Sequence, residues 1–303
     1  MTTLYTQQSS NVTKTWFLMS FFFVMVIVVG WAVSWYLDSP FILYIAVALA
    51  LITNVYSYWN SDKLVLRLTH AKEADPLHYL ELHRIVENLA ITAGLPKPRL
   101  YIVTDDAPNA FATGRDPEHG VVAVTTGLLA ILNKTELEGV LAHELSHIGN
   151  RDILVSTVAV VLAGFIAILS DFFIRMLFFG GGNRDRNVHP AIYIIGLVAV
   201  VLAPIAATLV QLAVSRKREF LADASGALIT RYPDGLASAL TKISQHGKEM
   251  QHASHATAHL FIANPFGNKK GFAASLNKLF TTHPPVDERV SALMGGHKQA
   301  PQE

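Results

Sequence analysis

Long uncharged runs constrain this chain more than any other feature. From Trp16 to Leu37 the sequence WFLMSFFFVMVIVVGWAVSWYL carries no charged side chain. At about 1.5 Å of rise per residue, a helix of that length crosses the roughly 30 Å of bilayer hydrocarbon. A signal peptide has a shorter apolar core and a small-residue cleavage site leading into a soluble chain. Here Asp38, Ser39 and Pro40 instead make a polar turn, and a second apolar run returns from Phe41 to Trp59. Tyr and Trp stand near its ends, where aromatic rings favour the membrane interface. Residues 16–59 are therefore expected to form a membrane hairpin, preceded by a tail over residues 1–15. A third run, Ile153 to Phe179, and a fourth, Pro190 to Ser215, flank the turn GGGNRDRN and predict a second hairpin over 153–215. Pro204 is expected to kink the fourth span, as a membrane bundle tolerates.

Composition agrees with this reading. The chain of 303 residues is 51% apolar and 16% charged, with a mean hydropathy of +0.34. A net charge of +1, without a Lys/Arg cluster, gives no basic footprint for nucleic acid. The chain has no cysteine, which excludes thiolate metal sites and leaves His and carboxylates as ligands. The spans also predict an orientation. Lys14, Lys63, Arg67, Lys72, Arg151, Arg216, Lys217 and Arg218 lie near span ends on the side of the large soluble segments; Arg175, Arg184 and Arg186 lie on the other. The positive-inside rule puts the soluble segments, residues 60–152 and 216–303, in the cytoplasm.

Within the first of these, Leu77 to Thr92 shows helical periodicity, and three β-type runs follow at Leu100–Val103, Ala110–Thr113 and Val121–Thr125. Lys134 to Asn150 reads as a helix, with Thr135 placed to cap it and Glu136 and Glu138 favouring its positive end. The expected fold is an α+β membrane protein, mainly helical, with four transmembrane helices in two hairpins and a zincin-like domain containing a small β-sheet.

The Lys134–Asn150 helix holds His143, Glu144, Leu145, Ser146 and His147, the pattern H-E-x-x-H. Spacing of i, i+4 puts both imidazoles on one face, where they can converge on one zinc ion. Glu144 lies beside them as the general base, taking a proton from water whose pKa the ion lowers to about 7. Surface or core histidines are the bland alternative. Asn150 and Ile153 occupy the Gly and His positions of the extended motif, so a third ligand is not local. Glu219 is the candidate, with Asp223 one turn later on the same face, suited to accept an N–H from a ligand histidine. The competing reading makes both a solvated face that balances Arg216, Lys217 and Arg218.

Four segments now carry a likeness: HELSHIGNRD (His143–Asp152), EFLAD (Glu219–Asp223), PNAFATG (Pro108–Gly114) and THPPVDER (Thr282–Arg289). In that order they resemble the HtpX-type membrane zinc proteases over nearly the whole chain. The resemblance implies His143, His147 and Glu219 as ligands of one zinc per chain and Glu144 as base. It also implies a bacterial inner-membrane enzyme with a cytoplasm-facing site that cleaves misfolded or damaged membrane proteins as stress-related quality control. A homo-oligomer is compatible with the sequence.

Further residues keep two readings. PNAFATG suits an edge strand able to pair with an extended substrate, with Asn109 and Phe111 flanking the cleft; a turn plus a core aromatic is the alternative. His283 can donate a hydrogen bond to the oxyanion formed in peptide hydrolysis, or simply belong to a turn at a helix start. Arg289 is expected to anchor Asp152 or Asp287, or to touch substrate. His246, His252, His255 and His259 form a second cluster, the last three on one helical face, without a carboxylate in H-E-x-x-H register; a lid, a pH-sensitive loop or a solvated insertion would each account for it. Two rival functions remain. A prenyl-protein endopeptidase of the Ste24 kind has similar metal motifs, but four spans are few for its intramembrane chamber. A non-catalytic scaffold or transporter subunit is expected to place ionisable groups inside its spans, and these have almost none.

Overall fold

Nothing between Leu4 and Trp16 breaks a helix, and α1 (Leu4–Tyr36) runs unbroken from that segment into the apolar stretch. The segment expected as a tail is thus helical from Leu4 onward. The computed structural model describes residues 4–36, 38–179, 216–251, 257–267 and 284–295. A tight turn follows α1: Asp38 takes φ 47°, the Ser34 hydroxyl donates to the Ser39 carbonyl at 2.9 Å, and Pro40 opens α2 (Pro40–Leu68). Proline suits the first helical turn, where its missing N–H costs nothing.

Gln8–Trp35 and Pro40–Leu68 have the length and apolarity to cross a membrane. A third crossing is counted only if α5 (Lys134–Gly149) and α6 (Asp152–Phe179), which meet at an 81° bend, form one broken span. The fourth expected span, with Pro204 and the GGGNRDRN turn, lies outside the described residues, so the expected four are not reached among those described. Helices α1, α2 and α6 share a core of Leu18, Phe22, Ala46, Ala50, Val158, Leu162 and Ile166. At Gly30 an added Cβ would fall 2.2 Å from the Ala46 Cβ, the close approach that small residues permit between membrane helices. Trp16, Phe17, Trp31, Trp35, Phe41, Tyr44 and Ile52 are exposed on the outside; an apolar surface that extensive needs a lipid environment.

The remaining elements build one layer of sheet against helices. Strands β1 (Lys72–Glu73), β2 (Arg99–Val103), β3 (Ala110–Thr113) and β4 (Val121–Thr125) form a mixed sheet in the order β1-β2-β4-β3. Only the β2–β4 pair is parallel, and β3 lies at the edge. Short β1 and helix α4 (Thr126–Ile131) were not marked by periodicity. Helix α3 (Leu80–Ala93) ends on Gly94 in the left-handed region, φ 66°, where glycine carries no steric penalty.

The centre of the domain is α5. Its Val140, Leu141, Leu145 and Ile148 are buried with Val122 and Val124 of the sheet and Leu82, Ile85 and Leu89 of α3; each such side chain stabilises by roughly 1.5–3 kcal/mol. The cap is Asn133, not Thr135. Asn133 Oδ1 accepts the Glu136 N–H at 3.0 Å, and Glu136 accepts the Asn133 N–H at 2.9 Å, a reciprocal capping box that no residue at position 135 could make. Glu136 also accepts from Ser238 at 2.7 Å and Lys242 at 2.8 Å, tying α5 to α8 (Pro233–His246). Helices α7 (Arg216–Thr230) and α9 (Val286–Leu293) complete the layer. Gly226 brings α7 close: a Cβ there would meet the His143 backbone nitrogen at 3.0 Å.

Candidate metal centre

Helix α5 delivers His143 and His147 to one side, with their Nε2 atoms 3.1 Å apart. Glu219, in the first turn of α7, faces both: its carboxylate oxygens lie 3.9 Å from His143 Nε2 and 3.6 Å from His147 Nε2. Among the described residues these three form the group able to hold an ion. Bonds of about 2.0–2.2 Å in a tetrahedron separate ligand atoms by roughly 3.3–3.6 Å, and the observed spacings of 3.1, 3.6 and 3.9 Å lie around that range.

A second ring of groups explains why the rings face as they do. Asp223 Oδ1 lies 2.9 Å from His143 Nδ1, and Asp152 Oδ2 lies 3.0 Å from His147 Nδ1. Each carboxylate accepts the Nδ1 proton, which assigns the tautomer and leaves a lone pair on each Nε2. Two lone pairs and a carboxylate then point at one small volume, an arrangement that repels itself without a cation. The donor set fits a divalent metal of the zinc type. Arg289 is buried and grips Asp223 through two bonds, Nε to Oδ2 at 2.8 Å and Nη2 to Oδ1 at 2.6 Å. Its anchor is therefore neither Asp152 nor Asp287. Asp152 is taken by His147, and the acids that meet the buried guanidinium are Asp223 and, at 3.8 Å from Nη1, Glu219.

Charge follows this geometry. Burial pushes His143 down to about 4, against the hydrogen bond to Asp223. Burial acts on His147 in the same direction, but Asp152 and Glu219 outweigh it and raise that ring to about 9: the acids favour positive charge at this ring, met by a proton on Nε2 or, with the lone pair free, by a cation. Burial would also raise Asp223, yet the bonds from Arg289 and His143 hold it near 2. Glu144 is pushed up to about 7, chiefly by burial and further by Glu219, against His147 and Arg289. A carboxyl balanced near neutrality can take and return a proton at working pH. The Ala112 backbone amide donates to it, placing strand β3 directly beside the base.

Asn109 and Phe111 are both buried. The Asn109 amide pairs with the Ala263 backbone, receiving its N–H at 3.1 Å and donating to its carbonyl at 3.0 Å. Phe111 meets Phe261 edge to face at 5.3 Å, and Ile262 N–H donates to the Ala110 carbonyl at 3.0 Å. The β3 edge is thus lined by the chain's own 261–263 segment. Asn109 also lines a cavity of about 200 Å³ with Ile262, Pro284, Pro285 and Arg289. His283, His252 and His255 lie outside the described residues. His246 ends α8 and is exposed, whereas His259 is buried in a single 3-10 turn, Ala258–Leu260, and not on a long helical face. Sequence reasoning missed the partner of His147: Asp152 lies five positions on, past Arg151 at φ 58°, where no helical spacing points to it.

Comparison with known proteins agrees with this arrangement. The model of peptidase family M48 matches residues 76–296. A "Protease HtpX homolog" of Caldanaerobacter subterraneus subsp. tengcongensis is 45% identical over 298 residues, covering 96% of this chain and 97% of the relative. One from Thermoanaerobacter pseudethanolicus is 46% identical over 297 residues with the same coverage, and one from Pyrococcus furiosus is 51% identical over 251 residues, 82% of this chain and 84% of the relative. The crystal structure of S. mikatae Ste24p shares the fold, with a TM-score of 0.50 at 18% identity, over 95% of this chain and 66% of that one. The chain belongs to peptidase family M48 and is a membrane metalloprotease, a hydrolase of peptide bonds.

Proposed function

We propose that this protein is a zinc-dependent endopeptidase of the bacterial inner membrane, spanning it four times with its site facing the cytoplasm, and that it cleaves misfolded or damaged membrane proteins. The observation that carries the metal reading is the convergence of His143 Nε2, His147 Nε2 and the Glu219 carboxylate. These residues would hold one zinc per chain. When bound, zinc would supply a Lewis acid that polarises the peptide carbonyl and lowers the pKa of water. Asp223 and Asp152 keep the two rings in the ligating tautomer.

Glu144 takes the proton of the attacking water and returns it to the leaving amine. Its buried setting and pKa near 7 suit both steps. Because no covalent enzyme intermediate forms, the missing cysteines cost the mechanism nothing. Residues 261–263 pair with the Ala110 end of β3, so an extended substrate would lie along β3 beyond that end, and Asn109 and Phe111 would shape the cleft by holding this segment. His283 donates to the carbonyl oxygen under attack. That role rests on the segment THPPVDER in the sequence. The excess of Lys and Arg on the soluble side supports the cytoplasmic orientation, and the relatives named as proteases support the cleavage of proteins.

Metal analysis of detergent-purified protein tests the reading. One zinc per chain is expected in the wild type, removable by chelation together with cleavage of an unfolded protein such as casein, and Glu219→Ala should not retain it. A folded wild type that takes up no zinc would refute the site.

A further inference from the structure

Asn11 sits near the start of the membrane helix α1 and is fully buried. A buried carboxamide needs acceptors for its N–H groups and a donor for its oxygen, and all of those partners border the metal ligands. Asn11 Nδ2 lies 3.0 Å from the Asn150 carbonyl and 2.6 Å from Asp152 Oδ1. Asn11 Oδ1 lies 3.5 Å from Arg218 Nη1. Asn150 and Asp152 follow His147 in sequence, and Arg218 precedes Glu219.

The junction they belong to is not self-determined. Between α5 and α6 the chain bends by 81°, and Arg151 stands at φ 58°, a conformation that persists only when its surroundings impose it. The outer turn of α1 is that surrounding. Gln8 Nε2 holds the Gly149 carbonyl at 2.7 Å, and Asn11 holds the next two carbonyl and carboxylate groups. An aspartate carboxylate turns about a broad, roughly two-fold torsion. With Oδ1 held by Asn11 at 2.6 Å and more loosely by Arg218 at 3.6 Å, Oδ2 is the oxygen presented to His147 Nδ1.

We propose that Asn11 is a positioning residue of the metal centre, acting through Asp152 to hold the His147 ring with Nε2 toward the ion. Helix α1 is then a structural part of the site as well as an anchor. The inference rests on the metal reading above and concerns one residue that no motif contains.

The test uses the full-length protein in detergent, with zinc affinity measured at fixed pH by competition against a chromophoric chelator. The absorption spectrum of the cobalt(II) form reports ligand geometry alongside. Asn11→Leu should weaken zinc binding roughly tenfold, the low end for loss of an outer partner of a metal ligand, and alter the cobalt spectrum. Thr13→Ala, which removes an exposed bond to the Ser9 carbonyl within α1 only, should bind zinc as the wild type does. In an Asp152→Ala background Asn11→Leu should add little, because both changes break one chain of contacts. Asn11→Ser gives a milder loss that keeps the test open if the leucine variant does not accumulate. Unchanged zinc affinity in both Asn11 variants would overturn the proposal, and so would an equal loss in Thr13→Ala or additive losses with Asp152→Ala. A wild type that binds no zinc would overturn the metal reading itself.

Discussion

Arg289 and Asp223, 66 positions apart, meet in a buried two-pronged ion pair, with Nη2 to Oδ1 at 2.6 Å and Nε to Oδ2 at 2.8 Å. Asp223 in turn holds His143 at 2.9 Å. Arg289 Nη1 also lies 3.8 Å from the Glu219 carboxylate, so helix α9 reaches the metal centre chiefly through Asp223 and secondarily through Glu219.

Removing the guanidinium leaves Asp223 buried and unpaired. Arg289→Met should destabilise the protein by about 3–5 kcal/mol and weaken zinc binding about 10- to 100-fold. Arg289→Lys should recover only part of both, since an ammonium cannot make the two-pronged contact. Thermal melts paired with zinc competition check this; an unchanged melting curve for Arg289→Met would mean the pair does not hold the fold.

The approach of α7 to α5 depends on the missing side chain at Gly226. Gly226→Ala puts a methyl group 3.0 Å from the His143 nitrogen and 3.2 Å from its Cα, against backbone that cannot yield cheaply. It should cost about 1–3 kcal/mol and lower zinc affinity by displacing Glu219. Gly164→Ala, where an added Cβ meets nothing within 4 Å, should leave zinc affinity unchanged. Equal affinities in both variants would show that this contact does not set the site.

The capping box of α5 should appear in the acid stability of the protein. Burial alone would raise the Glu136 pKa, but Lys242, Ser238 and Asn133 outweigh it and hold it below the usual 4.5. Because the folded-state value is depressed, the stabilisation is fully present above the unfolded value and is lost as pH falls through the folded one. Glu136→Gln should therefore flatten the loss of stability below about pH 4.5, and Asn133→Ala should cost about 0.5–2 kcal/mol at neutral pH. Denaturant titrations at several pH values would reveal both effects.

Zinc should also stabilise the fold. If the site is formed only in the folded chain, free zinc at 100 times its dissociation constant adds about 2.7 kcal/mol. The wild-type melting temperature should rise with free zinc, and that of Glu219→Ala should not. Equal shifts in the two would point to binding elsewhere.

What could be read from sequence follows from how local each signal is. The first two spans rest on uncharged length and the α5 helix and the three longer strands on local periodicity, and the structure has α5 ending one residue short of Asn150 and β3 and β4 on their expected bounds. His143 and His147 share one helix, so their juxtaposition was legible from spacing. Glu219 was legible only with the help of a resemblance, because 70 positions separate it from the end of α5 at Gly149 (219 − 149). The second ring was harder still. Arg289–Asp223 and Asn11–Asp152 join elements that only tertiary folding brings together, and a two-residue strand such as β1 has no period to detect. The misplaced cap has a local cause: Thr135 and Asn133 are both competent caps, and the choice fell to the one three residues before Glu136.

The most direct measurement of the central claim is casein cleavage by Glu144→Ala beside its zinc content. Loss of a positioned base should reduce cleavage by about 10²- to 10⁴-fold while zinc stays near one per chain, because Glu144 is not among the three converging ligands. Cleavage at the wild-type rate with zinc retained would contradict the account: Glu144 would not be the base.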